Sequence, residues 1–102
     1  MTNITPEEVK QRLDAGESLN LIDVREPYEN AEFNIGGTLL PLGKIQSMQT
    51  EDIEGLQNEE VICYCRSGNR SGIAAMTLEK MGFTTTKNLT GGMLAWQEKF
   101  KK

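Results

Sequence analysis

The sequence predicts an α/β fold with a mainly parallel sheet. Short strand-like runs alternate with helical patterns about five times along the 102 residues, as in a layered fold with right-handed crossovers. Two of the runs, Leu19 to Val24 and Val61 to Tyr64, are near-continuously apolar, as strands covered on both faces are. No internal repeat, linker or low-complexity segment divides the chain, so residues 1–102 are expected to form a single domain. A chain of this length buries roughly two-thirds of its unfolded surface and needs no disulfide staples.

Asn3-Ile4 reads as a short first strand. Thr5-Pro6-Glu7-Glu8 then starts a helix, with Thr5 as N-cap, Pro6 at the first helical position and Glu8 closing a capping box. Val9 and Leu13 share one face of it, and Gly16 is its stop. The strand from Leu19 to Val24 carries Asp23 near its C-terminal end, with Arg25 next. Pro27 opens a short helix through Glu32, which Gly36-Gly37 breaks. Thr38-Leu39-Leu40 is a further short strand, closed by Pro41. Between Gly43 and Asn58 the periodicity is weak; polar loop and a helix around Thr50 to Leu56 are expected there.

Val61 to Tyr64 is the strand that delivers Cys65. A helix from about Asn69 to Met81 follows, with Ile73, Ala74, Met76, Thr77, Leu78 and Met81 as its apolar face and Gly82 as its end. Gly72 in its first turn signals close packing or close approach to the backbone. Thr84 to Leu89 is rich in β-branched residues and reads as a last strand. Gly91-Gly92 turns the chain. Met93, Trp96 and Phe100 then share a helical face as core packing, and Lys99, Lys101 and Lys102 suit a helix C-terminus.

The net charge is −4, with no histidine and two cysteines. An acidic balance argues against nucleic-acid binding, which leaves a basic footprint. No apolar run approaches the roughly 20 residues of a membrane span, and Met1-Thr2-Asn3-Ile4 shows no secretory signal. A reducing, cytoplasmic compartment is expected, because a reactive thiol must stay free. Cys63 and Cys65, two residues apart on a strand, make a poor disulfide. Two thiols without histidine do not make a zinc site, and neither a metal nor a cofactor is expected.

The stretch that carries chemistry is Cys65-Arg66-Ser67-Gly68-Asn69-Arg70-Ser71. A strand that ends in cysteine, turns through small polar residues and enters a helix points backbone N–H groups at one spot, which favours negative charge. The absence of histidine removes every Cys-His and Ser-His arrangement. Activation of Cys65 therefore falls to backbone dipoles and to Arg66 and Arg70, whose charge is permanent. The other reading of Cys65 is a buried structural thiol; for Cys63, inside the strand, that is the expected one. Arg66 and Arg70 either bind an anion or are solvated surface charges. Gly68 supplies a backbone angle closed to other residues. Ser67, Asn69 and Ser71 donate hydrogen bonds to the site or cap the helix. Asp23 and Arg25 form an ordinary ion pair, or Asp23 holds the Cys65 loop through its N–H groups.

These residues resemble the rhodanese-like sulfurtransferases in their single-domain form. The resemblance rests on Leu21-Ile22-Asp23-Val24-Arg25, Pro41-Leu42-Gly43, the Cys65 to Ser71 loop, Ala74-Ala75 with Leu78 and Gly82-Phe83, and Leu89 to Trp96. It implies a three-layer domain with a five-stranded sheet and helices on both faces. It implies a thiosulfate sulfurtransferase, in which Cys65 takes a sulfane sulfur from a small anionic donor, becomes a persulfide, and passes the sulfur to cyanide or a thiol. A protein thiol is one such acceptor. It implies that Arg66, Ser67, Gly68, Asn69 and Arg70 cradle the donor and the persulfide, with Asp23, Arg25 and Ser71 in support. One departure is the family's Gly-His pair ahead of the third strand, for which this chain has Glu32-Phe33; it bears on local packing rather than on sulfur chemistry. Two other readings stand beside this one. A sulfur-relay or regulatory module that binds a partner would use the same loop. A cysteine phosphatase would need one more residue than the four between Cys65 and Arg70, and no aspartic general acid follows.

Overall fold

Thr2–Ile4 forms the first strand, β1, and Thr5 starts helix α1, Pro6–Asp14. The capping box closes as the residues predict: Thr5 Oγ1 accepts the Glu8 N–H at 3.1 Å, and Glu8 Oε1 accepts the Thr5 N–H at 3.2 Å. Strand β2 is Leu21–Asp23, helix α2 is Pro27–Glu32 and strand β3 is Thr38–Leu39. Helix α3 covers Leu42–Gln46, and a single 3-10 turn covers Glu51–Ile53. Strand β4 is Glu60–Tyr64, helix α4 is Asn69–Lys80, strand β5 is Thr85–Leu89 and helix α5 is Gly92–Phe100. This computed structural model describes residues 1–100. The expectation for Lys101 and Lys102 lies outside them; Lys99, inside, pairs with Glu7 at 2.9 Å.

The five strands lie in the order β1-β5-β4-β2-β3, every neighbouring pair parallel. β4 is therefore central, and its end delivers Cys65 beside the end of β2. Pleating sends alternate side chains to opposite faces. Val61, Cys63 and Cys65 enter a core with Ile22, Ile45, Ile53, Ala74, Ala75 and Leu78, under α3 and α4. Ile62 and Tyr64 enter a second core with Val9, Leu21, Leu89, Met93 and Trp96, under α1 and α5. Helices thus cover both faces, and each fully buried aliphatic side chain contributes about 1.5–3 kcal/mol. Trp96 and Phe100 pack edge to face at 4.8 Å, as their helical spacing predicts.

Two expectations need correction. No helix spans Thr50 to Leu56; only the 3-10 turn forms there, anchored by buried Ile53. The helix of this region is α3, on the Leu42-Gly43 stretch, held by buried Ile45. Five residues with a glycine among them are too few to show a helical period. On α4 the buried face is Ser71, Ala74, Ala75 and Leu78, whereas Ile73 and Met76 are 49% and 48% exposed. The small residues face inward because the helix lies close on the sheet. Among the described residues, no helix is long and apolar enough to cross a membrane.

Candidate active site

The Cys65 side chain is buried at the point where β4 gives way to the loop. Its Sγ accepts the N–H of Gly68 at 3.1 Å and that of Ser71 at 3.3 Å, and lies 3.3 Å from Ser71 Oγ. Gly68 is the N-cap of α4 with φ +103°. That left-handed angle swings its N–H onto the sulfur, and a side chain there would be strained. Burial pushes the Cys65 thiol up. The Ser71 hydroxyl and the N–H groups of Ser71, Gly68 and Ser67 outweigh it and hold the thiol below its ordinary value.

Two elements distant in sequence shape this nest. Asn88 on β5 accepts the Ser71 hydroxyl with Oδ1 and donates to the Gly68 carbonyl at 3.2 Å with Nδ2. A hydroxyl has one proton. In the thiol form, Cys65 donates to Ser71 Oγ and Ser71 donates to Asn88; in the thiolate form the Ser71 proton is free to turn to Sγ. The second element is the start of α5. Its Met93 and Leu94 N–H groups donate to the carbonyls of Cys65 and Arg66 at 2.9 and 3.0 Å. Pulling those carbonyls outward leaves the loop N–H groups facing the sulfur. Gly92 makes this approach possible: a Cβ there would lie 2.4 Å from the Cys65 carbonyl oxygen. Gly91-Gly92 reads in the sequence only as a turn. Asn88 leaves one faint signal, a polar amide in a run of β-branched residues.

The remaining predicted site residues divide. The side chains of Arg66, Ser67 and Asn69 are exposed at the loop rim. Arg66 makes no ion pair among the described residues. Arg70 is bound by Glu29 through both terminal guanidinium nitrogens, Nη1 and Nη2, at 2.8 and 2.9 Å. That contact comes first in holding the Glu29 carboxyl down at about 2. Ser71 is not the helix cap but touches the sulfur directly. Asp23 does not hold the Cys65 loop. It accepts Arg25 Nε at 2.9 Å, Arg25 Nη2 at 2.8 Å, the Arg25 N–H at 3.0 Å and Asn30 Nδ2 at 2.8 Å. Arg25 continues to the Phe33 carbonyl at 2.6 Å and lies over the Tyr64 ring. These contacts fix α2 and the segment after it. Arg25, Glu29 and Arg66 do line one cleft of about 230 Å³, with Met93 and Leu94. A larger cleft of about 360 Å³, between Lys10, Phe33 and Trp96, holds none of the loop residues. Cys63 is a core residue, its thiol pushed up to about 12 by burial and then by nearby Cys65.

Comparison with known proteins identifies the family. Residues 5–99 match the rhodanese-like domain family. An Allochromatium vinosum protein named a sulfurtransferase is 36% identical over 97 residues, which are 94% of this chain and 88% of that protein. A Bacillus subtilis protein, YrkF, named as a candidate sulfur carrier, is 40% identical over 97 residues, covering 94% of this chain. The chain spans only 51% of that relative's length, and 26% of a Mycobacterium tuberculosis relative, MoeZ, named as an adenylyltransferase/sulfurtransferase. Among solved structures, a rhodanese-like domain protein from Staphylococcus aureus superposes with a TM-score of 0.81 at 30% identity, covering 94% of this chain and 91% of that one. The chain belongs to the rhodanese-like family.

Proposed function

We propose that this rhodanese-like chain, with residues 1–102 acting as one domain, carries sulfane sulfur as a persulfide on Cys65. The observation that carries the reading is the convergence of the Gly68 and Ser71 N–H groups and the Ser71 hydroxyl on one sulfur atom. With thiosulfate as donor, the Cys65 thiolate attacks the outer sulfur. The S–S bond breaks, and sulfite leaves with its electron pair. The terminal sulfur of the persulfide then bears the negative charge, where the loop N–H groups donate to it. Cyanide or a thiolate attacks that sulfur, the new C–S or S–S bond forms, and the Cys65 thiolate returns. Arg66 at the rim draws in an anionic donor. Such a cycle needs a free thiol and fits the reducing cytoplasm.

The test compares thiocyanate formation from thiosulfate and cyanide with hydrolysis of p-nitrophenyl phosphate. Sulfur transfer without ester hydrolysis is the expected result; ester hydrolysis alone overturns the proposal. A sulfur relay is the second reading. It is favoured by the Glu29 contact on Arg70, which ties down one of the loop's two cations, and by the name of the Bacillus subtilis relative. In a relay, Cys65 persulfide forms and passes to a protein thiol while thiosulfate turnover stays negligible.

A further inference from the structure

Arg70 stands in the first turn of α4, yet its charge is already met. Nη1 donates to Glu29 Oε1 and Nη2 to Glu29 Oε2, at 2.8 and 2.9 Å. Two-point pairing of guanidinium and carboxylate is both directional and strong. Glu29 is fixed from its other side as well, because Oε1 accepts the Glu26 N–H at 3.0 Å in the first turn of α2. The Glu29 side chain is only 12% exposed, against 34% for Arg70, so the pair is partly shielded from solvent. Arg66 is the contrasting case: exposed at the rim, on the cleft that Glu29 also lines, and without an ion pair among the described residues.

Resting on the sulfur-transfer reading above, we propose that Glu29 is a charge-selecting residue of the Cys65 site: by neutralising Arg70 it leaves Arg66 as the loop's uncommitted cation and shifts donor preference from dianionic thiosulfate toward sulfane donors of lower charge, such as persulfides of small thiols. An approaching dianion meets one net positive charge at the loop instead of two. The backbone N–H groups serve either donor equally, so selection falls to the arginines and their partner. Glu29 does not touch the reacting sulfur; it acts through Arg70.

The variant Glu29→Gln keeps the side-chain length and the acceptor for the Glu26 N–H but removes the charge. The readout is the ratio of Cys65 alkylation rates with iodoacetate, an anion, and iodoacetamide, which is neutral. The same thiolate attacks the CH2 carbon of both reagents and displaces iodide, so its population cancels in the ratio. The ratio is expected to rise about three- to tenfold at low salt, the scale of one unit charge screened by water, and the gain shrinks in about 0.5 M salt. The KM for thiosulfate falls by a similar factor while kcat changes little. Arg70→Gln, which leaves the α2 contact intact, lowers the ratio, because Glu29 is then uncompensated. The double variant returns it close to the parent value.

A tie that is only structural would lower stability without moving the ratio. An unchanged ratio in folded Glu29→Gln overturns the proposal. If that variant does not fold, an unchanged ratio in Arg70→Gln overturns it equally. Alkylation needs no sulfur donor, so the two readings separate. A raised ratio with no persulfide on Cys65 from any donor keeps the charge selection and sinks the sulfur chemistry. An unchanged ratio with normal persulfide formation does the reverse.

Discussion

Cys63 and Cys65 carry the same side chain, two residues apart, one inside β4 and one just past its end, in the same core, and they are 0% and 1% exposed. Their thiols nevertheless move in opposite directions. Burial, then the neighbouring Cys65, drives Cys63 up to about 12. Burial acts on Cys65 too, but hydrogen bonds from Ser71, Gly68 and Ser67 more than offset it. Backbone direction makes the difference. Inside the strand, N–H groups serve the ladders to β2 and β5. Past its end the chain turns at Gly68, and N–H groups converge on the sulfur. Burial alone does not decide cysteine reactivity; the supply of donors to the thiolate does.

The sharpest way to break this contrast is to remove each thiol. Cys65→Ser is expected to lower sulfur transfer by at least about a thousandfold, the scale for losing a nucleophile, whereas Cys63→Ala stays within about threefold. Comparable losses in both would erase the distinction. Next comes the support that turns the loop carbonyls away. Gly92 has φ +56°, and a Cβ on it would lie 2.4 Å from the Cys65 carbonyl oxygen and 2.6 Å from that of Arg66, so Gly92→Ala should cost about 2–4 kcal/mol of stability and at least about tenfold in turnover. Gly43 offers the control, since nothing lies within 4 Å of a Cβ there; Gly43→Ala should change stability by no more than about 1 kcal/mol. Equal unfolding midpoints in urea for the two variants would show that the α5 contact does not brace the loop.

Ser71→Ala keeps the N–H to Sγ and deletes the hydroxyl. The pH midpoint of Cys65 alkylation should rise, and the rate at neutral pH fall about three- to tenfold; an unmoved midpoint would leave activation to the backbone alone. A separate effect is on stability against pH. Cys63 is raised above its ordinary 9.0, so its contribution is fully present below 9.0 and lost as pH climbs toward about 12. Cys65 is lowered, so its contribution is present above 9.0 and lost as pH falls through its folded value. Cys63→Ala should therefore weaken the loss of stability between pH 9.0 and about 12, followed by urea unfolding. A curve parallel to the parent's would mean that the buried thiol carries none of it.

The strand-loop-helix around Cys65 was legible because each part is local: an apolar run, a glycine needing a left-handed angle, and a helix long enough to show its period. Partners that arrive from elsewhere were not. Glu29 meets Arg70 across 41 residues and Asn88 meets Ser71 across 17, and nothing in either local pattern announces the contact. Gly92 reads as a turn, because the carbonyl it must not strike belongs to another element. Asp23 misleads for the opposite reason. It sits at the right strand end, but Arg25 and Asn30, close by in the chain, take up its carboxylate. Helix α3 stays hidden because five residues are too short to show a period.

The most direct measurement is mass spectrometry of the intact protein and its peptides after treatment with a sulfane donor. Thiosulfate and a small-thiol persulfide are both used, so that donor charge does not decide the answer. The account predicts one added sulfur atom on the peptide at Cys65, removed by cyanide, with Cys63 unmodified. Sulfur on Cys63, or an unmodified Cys65 in folded protein with both donors, would contradict it.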